Sequence, residues 1–233
     1  MNTYKIIGDI SVLEDFIKNT LPDLQPNEGY YVSLFARNKY YKELTHIKSD
    51  KAQLKRFTCN KENLIQKLKQ LECPIGAYNQ KHMIVPQQAL VVYITINPRN
   101  YISAAHTSLI TLSSLIAKKA EGYNPHQHVM SDIQKSCSRK VYVDFDYDTE
   151  EGPNSFLGKI YSSVPFGVTT IIKTRGGYHV LVDPLLLKTH RPDLIKTWYN
   201  SMKEIGCDQC GDLMVPIPGC YQGGLDFITT IIA

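Results

Sequence analysis

Residues 141–148 read VYVDFDYD. The apolar, β-branched run leading into them, Lys140–Phe145 (KVYVDF), predicts a strand. Side chains alternate between the two faces of a strand. Asp144 and Asp146, at i and i+2, therefore point the same way, while Val143, Phe145 and Tyr147 point to the other face and can be buried there. Two carboxylates on one face repel unless something positive sits between them. A divalent cation is the usual answer, and Mg²⁺ takes one or two carboxylates together with substrate phosphates. Two such ions can clamp both oxygens of a phosphoryl transfer. The plainer reading is a solvated acidic turn at a strand end, since D-x-D is a common pattern.

Downstream, Val168–Lys173 (VTTIIK) and Tyr178–Val182 (YHVLV) read as two strands of a hairpin, with Gly176 and Gly177 between them. Thr174-Arg-Gly-Gly-Tyr-His179 is the connection. Its glycines let backbone N–H groups approach a phosphate. Lys173 and Arg175 add positive charge, the Thr174 hydroxyl can donate to a phosphate oxygen, and His179 can reach the same ligand. A structural histidine beside an ordinary glycine hairpin is the alternative. A third acidic segment, Asp208-Gln-Cys-Gly-Asp212, precedes Pro216-Ile-Pro-Gly219. It offers a further carboxylate, Asp212 or Asp208, although Asp, Gly and Pro are also plain turn residues.

Around these segments the chain reads as mixed α and β structure. Ser11-Val-Leu-Glu14 has a capping-box pattern and predicts a short helix ending before Pro22. Tyr30–Phe35 predicts a strand, paired with Lys39–Tyr41. Asn60 can cap a helix with Leu64, Leu68 and Leu71 on one face. Leu90–Ile96 predicts a buried strand ending at Asn97-Pro98, and residues 102–118 a helix. A polar connector, 121–138, follows. Ser155–Tyr161 predicts a helix, and Pro192 starts another carrying Leu194, Ile195, Trp198 and Met202. The expected fold is α/β or α+β, with an N-terminal α/β lobe over residues 1–120, the connector, and a second lobe over 139–233. In that second lobe strand, helix, hairpin, helix and strand suit a ferredoxin-like sheet. The apolar end FITTIIA suggests the front part of a longer protein.

Composition is ordinary for a globular chain, at 43% hydrophobic and 21% charged residues. No apolar run approaches the ~20 residues that span a membrane, and the acidic N-terminus is unlike a secretory signal. A cytoplasmic or otherwise intracellular protein without membrane contact is expected. The net charge of +4 permits nucleic-acid binding without demanding it. Lys48, Lys51, Lys55, Arg56 and Lys61 form a basic stretch that reads as a solvated surface. Arg56 and Arg99 are candidates for template contacts, with ordinary surface positions as the alternative. Cys207 and Cys210 form a C-x-x-C pair with Cys220 ten residues on, but no histidine stands near as a fourth ligand. Reduced thiols rather than structural zinc are expected.

Together VDFD, TRGGYH and GDLMVPIPG resemble the three motifs of the archaeo-eukaryotic primase superfamily, including its primase-polymerases. The resemblance covers roughly residues 139–225. It implies a catalytic core of phage or mobile-element type, with a lobe ahead of an RRM-like sheet, performing template-directed nucleotidyl transfer from NTPs or dNTPs with two Mg²⁺ or Mn²⁺ ions. Asp144 and Asp146 would bind both ions and Asp212, with Asp208 in reserve, the catalytic one. Lys173, Thr174, Arg175, Gly176, Gly177 and His179 would cradle the triphosphate. Single-stranded DNA would be the template, with a replicative helicase as a possible partner. The segment LMVPI departs from the family in carrying no basic residue before the P-G turn, a place for Gln222 or a lysine from elsewhere. A repair-type nucleotidyltransferase, a metal-dependent nuclease and a catalytically idle nucleic-acid-binding domain are the other readings. The nuclease would not need the TRGGYH cradle.

Overall fold

A computed structural model describes residues 2–43, 51–80, 82–119 and 121–233. Helix α1 (Ile10–Asp15) is capped by Asp9, whose carboxylate accepts from the Ser11 and Val12 amides. The cap is thus two residues ahead of the Ser11 expected, because Asp9 already meets the first free amides. The chain continues as a π-helical turn, Phe16–Thr20, and stops before Pro22. Strand β1 (Glu28–Arg37) follows, then β2 (Lys51–Cys59). Its partner is β2, not Lys39–Tyr41, which lies in a turn. Of the basic stretch, Lys51, Lys55 and Arg56 lie on β2, where Lys51 and Lys55 are exposed as expected and Arg56 is half-buried, and Lys48 and Asp50 lie outside the described residues.

Helix α2 (Lys61–Lys69) opens with a reciprocal Asn60–Asn63 capping box and buries Leu64 and Leu68. After a short ribbon, β3 (Asn79–Gln80) with β4 (Met83–Ile84), come β5 (Leu90–Thr95) and β6 (Arg99–Asn100). Helix α3 (Tyr101–Ala117) packs against α4 (Pro125–Lys135), where the Ser108 hydroxyl donates to Asp132 at 2.8 Å. The expected connector at 121–138 is thus mostly helix, with Asn124 as its cap and Pro125 in its first turn.

The remaining elements are β7 (Val143–Asp148), α5 (Pro153–Ser163), β8 (Thr169–Thr174), β9 (Gly177–Val182), α6 (Pro184–His190), α7 (Trp198–Glu204), β10 (Gln209–Gly211), β11 (Met214–Pro216) and β12 (Thr230–Ile231). The single helix expected from Pro192 is broken into a 3-10 turn, Pro192–Leu194, and α7. Among the described residues these strands form two five-stranded antiparallel sheets besides the β3–β4 ribbon. One runs β11-β5-β1-β2, with β6 beside β1, and the other β10-β7-β9-β8-β12. Strand β11 crosses into the first sheet, so residues 139–233 contribute to both.

Parity explains how the sheets are covered. Phe145, Tyr147, Tyr178, Val180 and Val182 face α5 and α7 in one apolar core. The opposite face of the same sheet gives Ile172 and Leu181 to a second core, built around β1, β5 and α2. The Asp144 and Asp146 parity of β7 consequently faces the first sheet. Among the described residues no helix is long and apolar enough to cross a membrane.

Candidate functional site

The predicted acidic strand lies at the floor of a cleft of about 760 Å³ between the two sheets. On the other face of β7, the Tyr147 hydroxyl donates to the Met202 carbonyl at 2.6 Å and Phe145 meets the edge of Trp198. These contacts fix the rotation of the strand, and so aim Asp144, Asp146 and Asp148 together. Asp148 extends the i, i+2 series by one step, a signal present in VDFDYD.

The three positions differ in depth. Asp144 is fully buried and accepts from His179 Nδ1 at 3.0 and 3.1 Å. Asp146 lines the cleft with its side chain 31% exposed, 3.6 Å from His179 Nε2. Asp148 stands at the rim, 3.8 Å from Lys39 Nζ. Burial raises the Asp146 carboxyl above the usual carboxylate range, the nearby His179 opposes this, and the charges of Asp144 and Asp148 add to the rise. For His179, burial works against the imidazolium, but the charge and hydrogen bond of Asp144, then Asp146 and Asp148, outweigh it and raise the pKa. His179 thus stands between two carboxylates, bonded to Asp144 and facing Asp146.

The hairpin is shifted one residue from expectation. Thr174 pairs with Gly177, leaving Arg175 and Gly176 as the two-residue turn. A Cβ on Gly177 would overlap the Tyr147 carbonyl oxygen, so the close approach of β9 to β7 requires glycine there. Thr174 and His179 line the cleft. Lys173 does not: its Nζ donates to the Tyr178 hydroxyl at 2.9 Å and lies 4.4 Å from the Tyr178 ring centroid. Arg175 is also turned away, in a two-pronged pair with Asp226 at 2.9 and 2.8 Å.

The third carboxylate belongs to a different knot. Asp212 lines the cleft, but both its oxygens accept from Arg99, at 2.6 and 2.7 Å, and one also from Asn97 at 3.0 Å. Arg99 is 2% exposed, a buried clamp and not the surface template contact that was one expectation. Asn97 Oδ1 accepts from the Val141 and Tyr142 amides, tying this knot to the start of β7. Asp208, the reserve, instead accepts from the Asp148 amide at 2.9 Å and is not among the residues lining the cleft. Among the described residues, no group of three or more His, Cys, Asp or Glu side chains is gathered as a metal cage. Cys207 and Cys210 pack beside the second-sheet core, and Cys220 is buried in the other.

The wall facing the aspartates is basic and aromatic. Arg37, Lys39, Lys51 and Arg56 line it with Phe35, Tyr40 and Tyr93. Gln222, 2% exposed, reaches across: its amide donates to the Tyr40 hydroxyl at 2.6 Å and its carbonyl accepts from the Arg175 amide at 3.0 Å. The place of Lys39 in the cleft and the pairing of Arg99 with Asp212 carry no local sequence signal, whereas Asp148 follows from the parity of β7.

No family model, curated protein or solved structure matches this chain.

Proposed function

We propose that the protein is a nucleotidyltransferase of the primase-polymerase kind, extending or initiating a nucleic-acid chain on a single-stranded template. One observation carries the reading. A single cleft has an acidic wall, Asp146, Asp148 and Asp212, facing a basic wall, Arg37, Lys39, Lys51 and Arg56. Such polarity suits a polyanion held on one side and its neutralising cations on the other. The strand order β10-β7-β9-β8 is that of a ferredoxin-like sheet, which supports the expected catalytic lobe.

The donors suit Mg²⁺ or Mn²⁺, since Asp146, Asp148 and Asp212 bring hard carboxylate oxygens to one cleft. Asp146 and Asp212, the predicted carboxylates that line the cleft, would hold the ions, with Asp144 buried behind them against His179. When bound, the ions supply activation of a 3′-hydroxyl and neutralisation of the triphosphate. His179 fixes the Asp144 carboxylate, and the Thr174 hydroxyl would donate toward phosphate. The chain's part is positioning and charge placement.

A nucleic-acid-binding domain without catalysis is the second reading. It is favoured by the commitment of Asp212 to Arg99. Thermal stabilisation distinguishes the two. A nucleoside triphosphate with Mg²⁺ or Mn²⁺ at a hundred times its Kd should stabilise the fold by about 2.7 kcal/mol. Stabilisation by single-stranded DNA but not by the triphosphate would favour the binder.

A further inference from the structure

We propose that Lys39 is a triphosphate-binding residue of this site; the inference rests on the nucleotidyl-transfer reading. Two cations flank the glycine turn in sequence, Lys173 and Arg175, and both are committed away from the cleft. Lys173 turns to the Tyr178 ring and hydroxyl on the other face of the sheet. Arg175 is held by both oxygens of Asp226 and by the Gln222 carbonyl. The ammonium that does stand over the turn comes from the turn that follows β1. Lys39 lines the cleft with Thr174 and His179, and its Nζ lies 3.5 Å from where a Cβ on Gly176 would be.

The position is held from below. Lys39 belongs to a turn in which the Tyr40 amide donates to the Arg37 carbonyl. Gln222 ties that turn to the hairpin by bonding both the Tyr40 hydroxyl and the Arg175 amide. The backbone of Lys39 is thus fixed relative to the glycine turn, while its side chain remains 38% exposed. Its carboxylate neighbour, Asp148, is 3.8 Å away and more exposed still. An exposed pair of this kind is weak and readily exchanged for a stronger anion. A triphosphate entering beside Thr174 would take the ammonium from Asp148, leaving that carboxylate facing the cleft. Lysine suits this role, as a compact charge on a flexible stem.

The test uses the whole chain, with Lys39→Ala and Lys39→Arg. Steady-state incorporation gives KM for the nucleotide and kcat, and calorimetry gives the affinity for the same triphosphate with Mg²⁺ in the absence of template. Lys39→Ala should raise KM and weaken binding by roughly tenfold to a hundredfold, the range of one charged hydrogen bond. Its kcat should stay within about threefold of the parent, the signature of lost ground-state binding. Lys39→Arg should restore most of the affinity. If the unaltered protein binds the triphosphate and Lys39→Ala binds it equally well, the role of Lys39 is overturned and the proposed function stands. If the unaltered protein neither binds the triphosphate nor incorporates nucleotide, both fall.

Discussion

His179 Nδ1 lies 3.0 Å from one oxygen of Asp144 and 3.1 Å from the other, so a fully buried carboxylate holds the imidazole that faces Asp146. The two predicted site residues act on each other before they act on any ligand. Asp146, not Asp144, is the aspartate of the pair that lines the cleft.

That contact gives stability a pH dependence in the metal-free protein. His179 has a folded pKa above its ordinary value of 6.5. Its contribution is therefore complete below about pH 6.5 and is lost as pH rises through the folded value. The raised Asp146 carboxyl works in the same direction at lower pH, because the folded state also holds that proton more tightly. In chelator, the stability of the parent protein relative to His179→Gln should fall as pH rises above about 6.5, by about 1.4 kcal/mol for each unit of difference between folded and unfolded pKa. A difference that stays constant as pH rises would contradict the contact.

The Arg99–Asp212 pair predicts a stability effect larger than an ordinary rim carboxylate would give. Asp212→Ala leaves a guanidinium that is 2% exposed without its carboxylate. Removing one partner of a buried pair costs about 3–5 kcal/mol. Urea unfolding should show a loss in that range, and a loss below about 1 kcal/mol would mean the pair does not clamp the sheets.

The two glycines of the hairpin should behave differently. A Cβ at Gly177 meets the Tyr147 backbone, which cannot move without disturbing β7, whereas one at Gly176 meets the ends of the Asp148 and Lys39 side chains at 3.1 and 3.5 Å. Gly177→Ala should cost about 2 kcal/mol or more, and Gly176→Ala less than about 1 kcal/mol. Equal costs in a denaturant titration would place the turn elsewhere.

Much of this architecture was legible locally. The period-two pattern of VDFDYD gave the orientation of the acidic strand, and Asn60 with its leucines gave α2. Strand β2 was missed because KAQLKRFTC is half-exposed along its length, with lysines in place of a clean apolar face. Helix α4 was obscured because Asn124-Pro125 signals a loop as readily as a cap followed by a first-turn proline. Within the site, the fate of the charged groups was hidden for a different reason. Arg99 and Asp212 are 113 residues apart, and Arg175 finds Asp226 fifty-one residues on. A sequence shows which charges exist; which of them neutralise each other depends on the packing of distant strands. The crossing of β11 into the first sheet, which brings Asp212 beside Arg99, is a long-range event of the same kind.

The central claim is tested most directly by nucleotide incorporation on single-stranded DNA with Mg²⁺ or Mn²⁺, ribo- and deoxynucleotide pools supplied separately, for the parent chain and Asp146→Asn. Asp146 is the better choice of aspartate, since removing Asp144 also takes the buried acceptor from His179. The parent should form metal-dependent product with at least one pool, and Asp146→Asn, folded by circular dichroism, should lose it by roughly 10²–10³-fold or more. No product from the parent under any of these conditions, or equal product from the variant, would contradict the account.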